Sequence, residues 1–338
     1  MIENCMRTIN GHKQRHNITI RHPRFQVKAL KLGFDIRVMG QILDINSEPR
    51  VPYDEEGDNG LVLSGKYIPE ELIAEILCYV DCKSLLNSQL VCRRWKMLAE
   101  SYVWRKKAEM TYGCLLQSIR DMPWHVYHTI CTKKPFERNL VRNHSGQEGL
   151  KHWEILSQGG DHWRVESPPV GVPPLPADQP IFEGKQHCFA TSYYNCSKQQ
   201  TVDLIKEGLR SDLMDTVQPP IQVSEWYSCR WDCPASYEIT AQLLDSKNKV
   251  IKSYGKEVSI KNMDQNQWHY ISFEFTDYGP GVEKVRLYHG GTDNLFWAGH
   301  YGSKMAGSCV LVKLPDLHPP TRKIEGDDER TDKPPSSN

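Results

Sequence analysis

A chain of 338 residues with 42 Lys+Arg against 42 Asp+Glu has room for two compact domains, and it has no global basic field with which to gather phosphate backbones or an acidic membrane surface. Nucleic acid is thereby set aside as a partner. No uninterrupted apolar run reaches the roughly 18–20 residues a bilayer crossing needs, and MIENCMRTINGHKQRHNITI at the N-terminus lacks the apolar centre of a secretory signal, so membrane insertion is not expected and a cytoplasmic location is.

Residues 1–66 open basic (Arg15, Arg21, Arg24, Lys28, Lys31) and close acidic (Asp54, Glu55, Glu56, Asp58) with little apolar periodicity between, which reads as a disordered leader. From 67 to 108 the pattern turns helical. Pro69 suits a first helical turn, where Glu70 and Glu71 meet the positive end of the helix dipole. Ile68, Leu72, Ile73, Ile76, Leu77 and Val80 then recur at intervals of three to four and align on one face. After a break at 81–84 a second apolar set follows in Leu85, Leu86, Leu90, Val91, Trp95 and Leu98, and Ser101 is placed to cap a third short helix carrying Val103 and Trp104. Three helices in about forty residues bury too little to stand comfortably alone, so the unit expects a partner surface.

The stretch YIPEELIAEILCYVDCKSLLNSQLVCRRWKMLAESYVWRKKA resembles an F-box, with its Pro-Glu-Glu helix start, its Leu-Val-Cys-Arg-Arg-Trp segment and its terminal Trp. The resemblance implies docking on a Skp adaptor and, through it, on a cullin and a RING subunit. It assigns Pro69, Leu72, Ile73, Ile76, Leu77, Leu90, Val91, Cys92 and Trp95 to the docking face or its supporting core.

Residues 109–133 read as a partly helical linker. From 134 to 315 the period shortens to two. Tyr237, Ile239, Ala241 and Leu243 alternate with Glu238, Thr240 and Gln242; Lys247-Asn248-Lys249 is a turn; Ile271, Phe273 and Phe275 alternate likewise. Gly279-Pro280-Gly281 breaks the run, Val285 and Leu287 resume it, and Val310, Val312 and Leu314 give a further strand. The segment at 170–176 is a loop. Short strands separated by turn residues predict an all-β antiparallel sandwich, so the chain as a whole reads as an α+β multidomain protein closed by a flexible Pro- and charge-rich tail over 316–338.

The segments RNLVRNHSGQEGLKHWEILSQGGDHWRVE, FATSYYNCSKQQTVDLIKEG, WYSCRWD and FTDYGPGVEKVRLYHGGTDNLFWAGHYGSKMAGSCVLV, in that order, resemble the F-box-associated domain of sugar-recognising F-box adaptors. That resemblance implies a jelly-roll-like sandwich whose loops, in some members, hold the inner chitobiose of high-mannose N-glycans on misfolded glycoproteins bound for endoplasmic-reticulum-associated degradation; other members do not read sugars. By resemblance the glycan-binding positions are Tyr193, Asp232, Phe296 and Trp297, with Ala298 beside them. Trp297 would stack on a sugar face, Tyr193 would wall the pocket and Asp232 would accept hydrogen bonds. Sugar-reading members tend to carry Tyr at 296 and Lys at 298. Phe and Ala each remove a donor there, at about 0.5–1.5 kcal/mol per neutral contact and more for a charged one.

The chemistry expected of the chain is recognition, without cofactor, metal or catalytic residue. There is no phosphate-cradling glycine loop, no His-Glu-x-x-His and no Gly-x-Ser-x-Gly. Asp161, Asp215 and Asp232 could in principle serve a glycosidase, but carboxylates near turns are more often solvated or capping. The 11 cysteines are scattered singly and read as reduced thiols. Cys78 with Cys82 and Cys229 with Cys233 each lack the second pair of ligands of a closed zinc site, and the helically spaced His125, His128 and Cys131 lack its fourth. Three readings follow: an adaptor presenting glycoproteins to a ubiquitin ligase, a glycan-blind adaptor using the same sandwich on protein substrates, and a Skp-bound lectin or chaperone outside a productive ligase.

Overall fold

The computed structural model describes residues 60–63 and 66–317. The disordered leader expected over 1–66 and the tail expected over 316–338 lie outside the described residues except for 60–63, 66, 316 and 317. Two of those exceptions are tied down. The Gly60 carbonyl accepts the Trp95 indole N–H at 2.7 Å, and the Asp316 carboxylate accepts the Ser118 amide at 3.0 Å and its hydroxyl at 2.5 Å.

Helix α1, Glu70–Tyr79, starts behind Pro69 with both glutamates in its first turn and buries Ile73, Ala74, Leu77 and Cys78 along one face. Val80 turns extended, and the Asp81 carboxylate accepts the Lys83 and Ser84 amides to begin α2, Cys82–Ser88. The next helical run departs from expectation. Helix α3, Arg93–Leu98, passes through a π-type stretch, Ala99–Val103, directly into α4, Trp104–Tyr112. Ser101 therefore caps nothing. It lies inside the run and donates its hydroxyl to the Met97 carbonyl at 2.7 Å, because no Gly or Pro interrupts 93–112 and the apolar face continues through Ala99, Val103 and Trp104. Gly113, at φ +73°, ends it. Helix α5, Trp124–Lys133, packs Trp124 on the fully buried Trp104 at 6.3 Å between ring centroids. His128 meets Trp104 edge-on at 4.9 Å, and Cys131 is buried beside the same turn.

Ten longer strands follow: β1 Glu154–Gln158, β2 Arg164–Glu166, β3 Cys188–Ala190, β4 Cys196–Asp203, β5 Ile221–Ser228, β6 Ala235–Leu244, β7 Val250–Ile260, β8 His269–Phe275, β9 Lys284–Asp293 and β10 Lys304–Val312. Two short helices, α6 Leu204–Glu207 and α7 Ser211–Thr216, bridge β4 to β5. The strands form two antiparallel five-stranded sheets, ordered β8-β5-β10-β3-β2 and β1-β4-β9-β6-β7. The antiparallel, strand-rich domain expected from the sequence is present, and its hydrogen bonding gives two separate five-stranded sheets. The alternation read in β6 holds, with Tyr237, Ile239, Ala241 and Leu243 buried.

Side chains of both sheets meet in a core that is not purely apolar. Glu225 of β5 accepts His289 Nδ1 of β9 at 2.6 Å, the Tyr237 hydroxyl of β6 at 2.6 Å and the Ser308 hydroxyl of β10. His289 Nε2 faces Lys198 Nζ of β4, and that nitrogen lies 3.4 Å from the centroid of Phe189, 4.0 Å from Trp153 and 4.4 Å from Trp163. Burial pulls the Lys198 amine well below the ordinary lysine value. Burial alone would raise the Glu225 carboxyl, but His289 and the donated hydrogen bonds bring it below its usual range. A second enclosed pair, Lys304 and Glu166, sits at 2.7 Å.

Candidate functional site

The strand register decides which loops share a neighbourhood. Lys304 at the start of β10 faces both Ala190 at the end of β3 and Ser228 at the end of β5, and Arg164 at the start of β2 faces Ala190 as well. In the other sheet, Asp293 ends β9 opposite Ala235 at the start of β6, while Cys196 at the start of β4 faces Gly291 of β9 and Gln158 of β1. The connections 159–163, 191–195, 229–234 and 294–303 are therefore brought to one end of the two sheets. Backbone hydrogen bonds lace them together: Asp293 N–H to Ser192 O at 3.0 Å, Thr191 N–H to Ser303 O at 3.0 Å and Asn294 N–H to Pro234 O at 3.0 Å. Gly302 is required at this junction, since a Cβ there would collide with the Thr191 side chain and come within 2.9 Å of the Ser192 carbonyl.

All four sequence-derived glycan positions lie on these connections. Phe296 is 67% exposed and Trp297 42%, so the loop turns its aromatic side chains outward rather than sealing the end of the sheets. Tyr193 is half-buried and touches Tyr194 at 5.3 Å between centroids, and the exposed Tyr194 meets Phe296 edge-on at 5.6 Å. Trp297 stands edge-on to Tyr301 at 5.5 Å. Asp232 is the position whose surroundings differ most from expectation. Both of its oxygens are engaged by Arg230, at 2.8 and 2.7 Å, in a bidentate clamp with little exposure on either side. The hydrogen bonds from Arg230 hold the Asp232 carboxyl below its ordinary range, and the guanidinium carbon lies 4.5 Å over the Tyr301 ring.

Sequence reasoning missed Tyr194, Tyr301 and Arg230. Each lies within four residues of a position it did name, and only the fold shows that Tyr301 links Trp297 to the Arg230 clamp. Together the groups make an exposed aromatic ledge bordered by one neutralised ion pair. Such a surface can stack on an apolar C–H or peptide face, and Ala298 adds no hydrogen-bonding group to it.

The helical positions separate into two sets. Ile73, Leu77, Cys92 and Trp95 are buried, and Pro69 and Leu72 are half-covered. Leu90 is 85% exposed, and Val91 next to it, Ile76 of α1 and Met97 of α3 are exposed as well. His125 faces Asp212 at 3.4 Å, so it, His128 and Cys131 are each engaged in packing or pairing. Among the described residues no helix is long and apolar enough to cross a membrane.

Two family profiles match the chain. The F-box-like profile covers residues 66–109, and the F-box associated region covers residues 131–312. Among curated relatives, F-box only protein 6 of Rattus norvegicus is 35% identical over 72% of this chain and 85% of its own length. F-box only protein 44 of Homo sapiens is 33% identical over 73% and 96%, and F-box only protein 2 of Bos taurus 34% identical over 79% and 89%. Among solved structures, TmCBM61 in complex with beta-1,4-galactotriose aligns with 52% of this chain and 100% of its own at 10% identity and a TM-score of 0.32, too loosely to bear on fold or ligand. F-box and F-box-associated regions are noncatalytic. The first implies partnership with Skp, a cullin and a RING subunit, and the pair is consistent with a substrate-recognition subunit of an SCF-type ubiquitin ligase. The chain belongs to the F-box proteins that carry a C-terminal F-box-associated region.

Proposed function

We propose that this chain selects N-glycosylated proteins, of the misfolded high-mannose kind, for ubiquitination and endoplasmic-reticulum-associated degradation in the cytoplasm. Residues 67–108 serve as the F-box, 109–133 as the connection and 134–315 as a jelly-roll-like substrate module. Skp docks on the exposed apolar positions Leu90, Val91 and Ile76, while Ile73, Leu77, Cys92 and Trp95 form the core behind them and Pro69 and Leu72 the start of the face. Nothing catalytic is asked of the chain: holding a substrate beside ubiquitin-charged machinery raises the local concentration of acceptor lysines.

The observation that carries the glycan reading is the outward-facing Trp297, set edge-on to Tyr301 at the end of the sheets. A pyranose presents a face of C–H groups that stacks on such a ring, with Tyr193 and Phe296 as neighbouring surface. A second reading, capture of a protein surface without sugar, draws on a different observation: the Asp232 carboxylate is clamped by Arg230, and Ala298 offers no donor.

Titrating the full chain, bound to Skp, with chitobiose and a high-mannose oligosaccharide separates the two. Saturable binding that weakens about tenfold in Trp297→Ala, the equivalent of ~1.5 kcal/mol of stacking, is the expected result. No binding at millimolar sugar would transfer the ledge to protein substrates.

A further inference from the structure

Phe296 holds a backbone conformation that a bulky residue rarely adopts, with φ at +55°. In the absence of a compensating contact, a left-handed Phe on an exposed loop relaxes to another conformer, and its side chain and that of Trp297 move with the backbone. The compensating contact is the carboxylate of Asp293, the last residue of β9. Its Oδ1 accepts the Leu295 amide at 2.9 Å and the Phe296 amide at 2.6 Å. Asp293 itself is only 2% exposed, and its own amide is bonded to the Ser192 carbonyl, so the acceptor is fixed by sheet and neighbouring loop. Its second oxygen, Oδ2, is buried without a hydrogen-bond partner among the described residues. A residue selected only to fill this space would be apolar. A carboxyl that leaves one oxygen unsatisfied in order to place the other under two amides is explained by what those amides carry.

We infer that Asp293 is the positioning residue of the recognition loop: by accepting the Leu295 and Phe296 amides it holds Phe296 left-handed and presents the Phe296–Trp297 edge to the substrate. The inference rests on the reading that this ledge binds substrate, but its structural half can be tested alone. Asp293 does not touch the ligand in this scheme. It acts through the loop.

The test compares Asp293→Ala and Asp293→Asn in the full chain with Skp. Asparagine keeps an acceptor at the Oδ1 position and replaces only the unpartnered oxygen. In Asp293→Ala, hydrogen exchange at the Leu295 and Phe296 amides is expected to rise about tenfold or more while the β-sheet amides keep their protection; in Asp293→Asn it stays near the parent rate. Unchanged exchange in Asp293→Ala overturns the proposal. If the alanine variant does not fold, Asp293→Asn decides: parent-like protection at both amides supports the assignment, and lost protection in a folded asparagine variant overturns it. Chitobiose titration is the second readout. Binding lost in Asp293→Ala and restored in Asp293→Asn supports the positioning role, and undiminished binding despite faster exchange refutes its link to recognition. If the parent chain binds no sugar, the ledge has been misassigned, and the exchange result still stands or falls by itself.

Discussion

At the scale of single residues, the position most altered by its surroundings is Asp232. Its identity was legible from the WYSCRWD segment, but its partner two residues earlier was not, because two residues apart on an irregular loop fixes no geometry. The fold supplies what spacing could not, turning Arg230 back on Asp232 so that each oxygen takes one guanidinium N–H. The consequence is electrostatic. The folded carboxyl titrates below its ordinary 3.8, so the clamp contributes above that pH and is lost as pH falls through the lower folded value. Carbon-13 NMR of the Asp232 carboxyl should show a midpoint below 3.8 in the parent chain and a return upward in Arg230→Gln. A midpoint that does not move would mean that Arg230 is not the cause. Trp297 and Phe296 were likewise legible as candidates, but their exposure was not, since the same aromatic pair would serve equally well to seal a core.

At the scale of elements, the helical period located α1 well and told little about which apolar residues face out. Periodicity reports that residues share a face, not what the face meets. Leu90 and Trp95 were placed in one apolar set, yet Leu90 is 85% exposed, whereas Trp95 is 3% exposed with its indole N–H on Gly60. The break between α2 and α3, over residues 89–92, separates them. Their substitutions should therefore fail differently. Leu90→Asp is expected to abolish co-purification with Skp while the melting temperature stays within a few degrees of the parent, as surface changes usually cost within about 0.5 kcal/mol. Trp95→Ala should lower stability by about 3–5 kcal/mol and lose Skp only through unfolding of the helices. Skp retained by folded Leu90→Asp would remove Leu90 from the docking face. Strand β7 shows the complementary blind spot. Its VIKSYGKEVSI has no clean alternation because the strand is exposed nearly throughout, so a pattern built on half-burial had nothing to detect.

At the scale of the whole molecule, the two sheets are joined through polar residues that stand where the strand period calls for apolar ones. Glu225 follows Ile221 and Val223 on the inward face of β5, and His289 follows Val285 and Leu287 on that of β9. In a sequence such residues read as the end of an apolar pattern; in the fold they are its continuation. Glu225 accepts from His289 and Tyr237, on two strands of the opposite sheet, and from Ser308, on a strand of its own sheet, so a single carboxylate ties the two sheets together. Removing it leaves three donors buried and unpaired. Glu225→Leu and His289→Leu are each expected to cost about 3–5 kcal/mol in denaturant unfolding, because each strands its partner in a dry interior. The double variant still strands the Tyr237 and Ser308 hydroxyls but no longer leaves Glu225 or His289 without the other, so its cost should fall short of the sum by about 1–3 kcal/mol. Costs that simply add would mean that the two residues act independently, and the orientation of the sheets would then have to be credited to apolar packing around Phe189 and Tyr237.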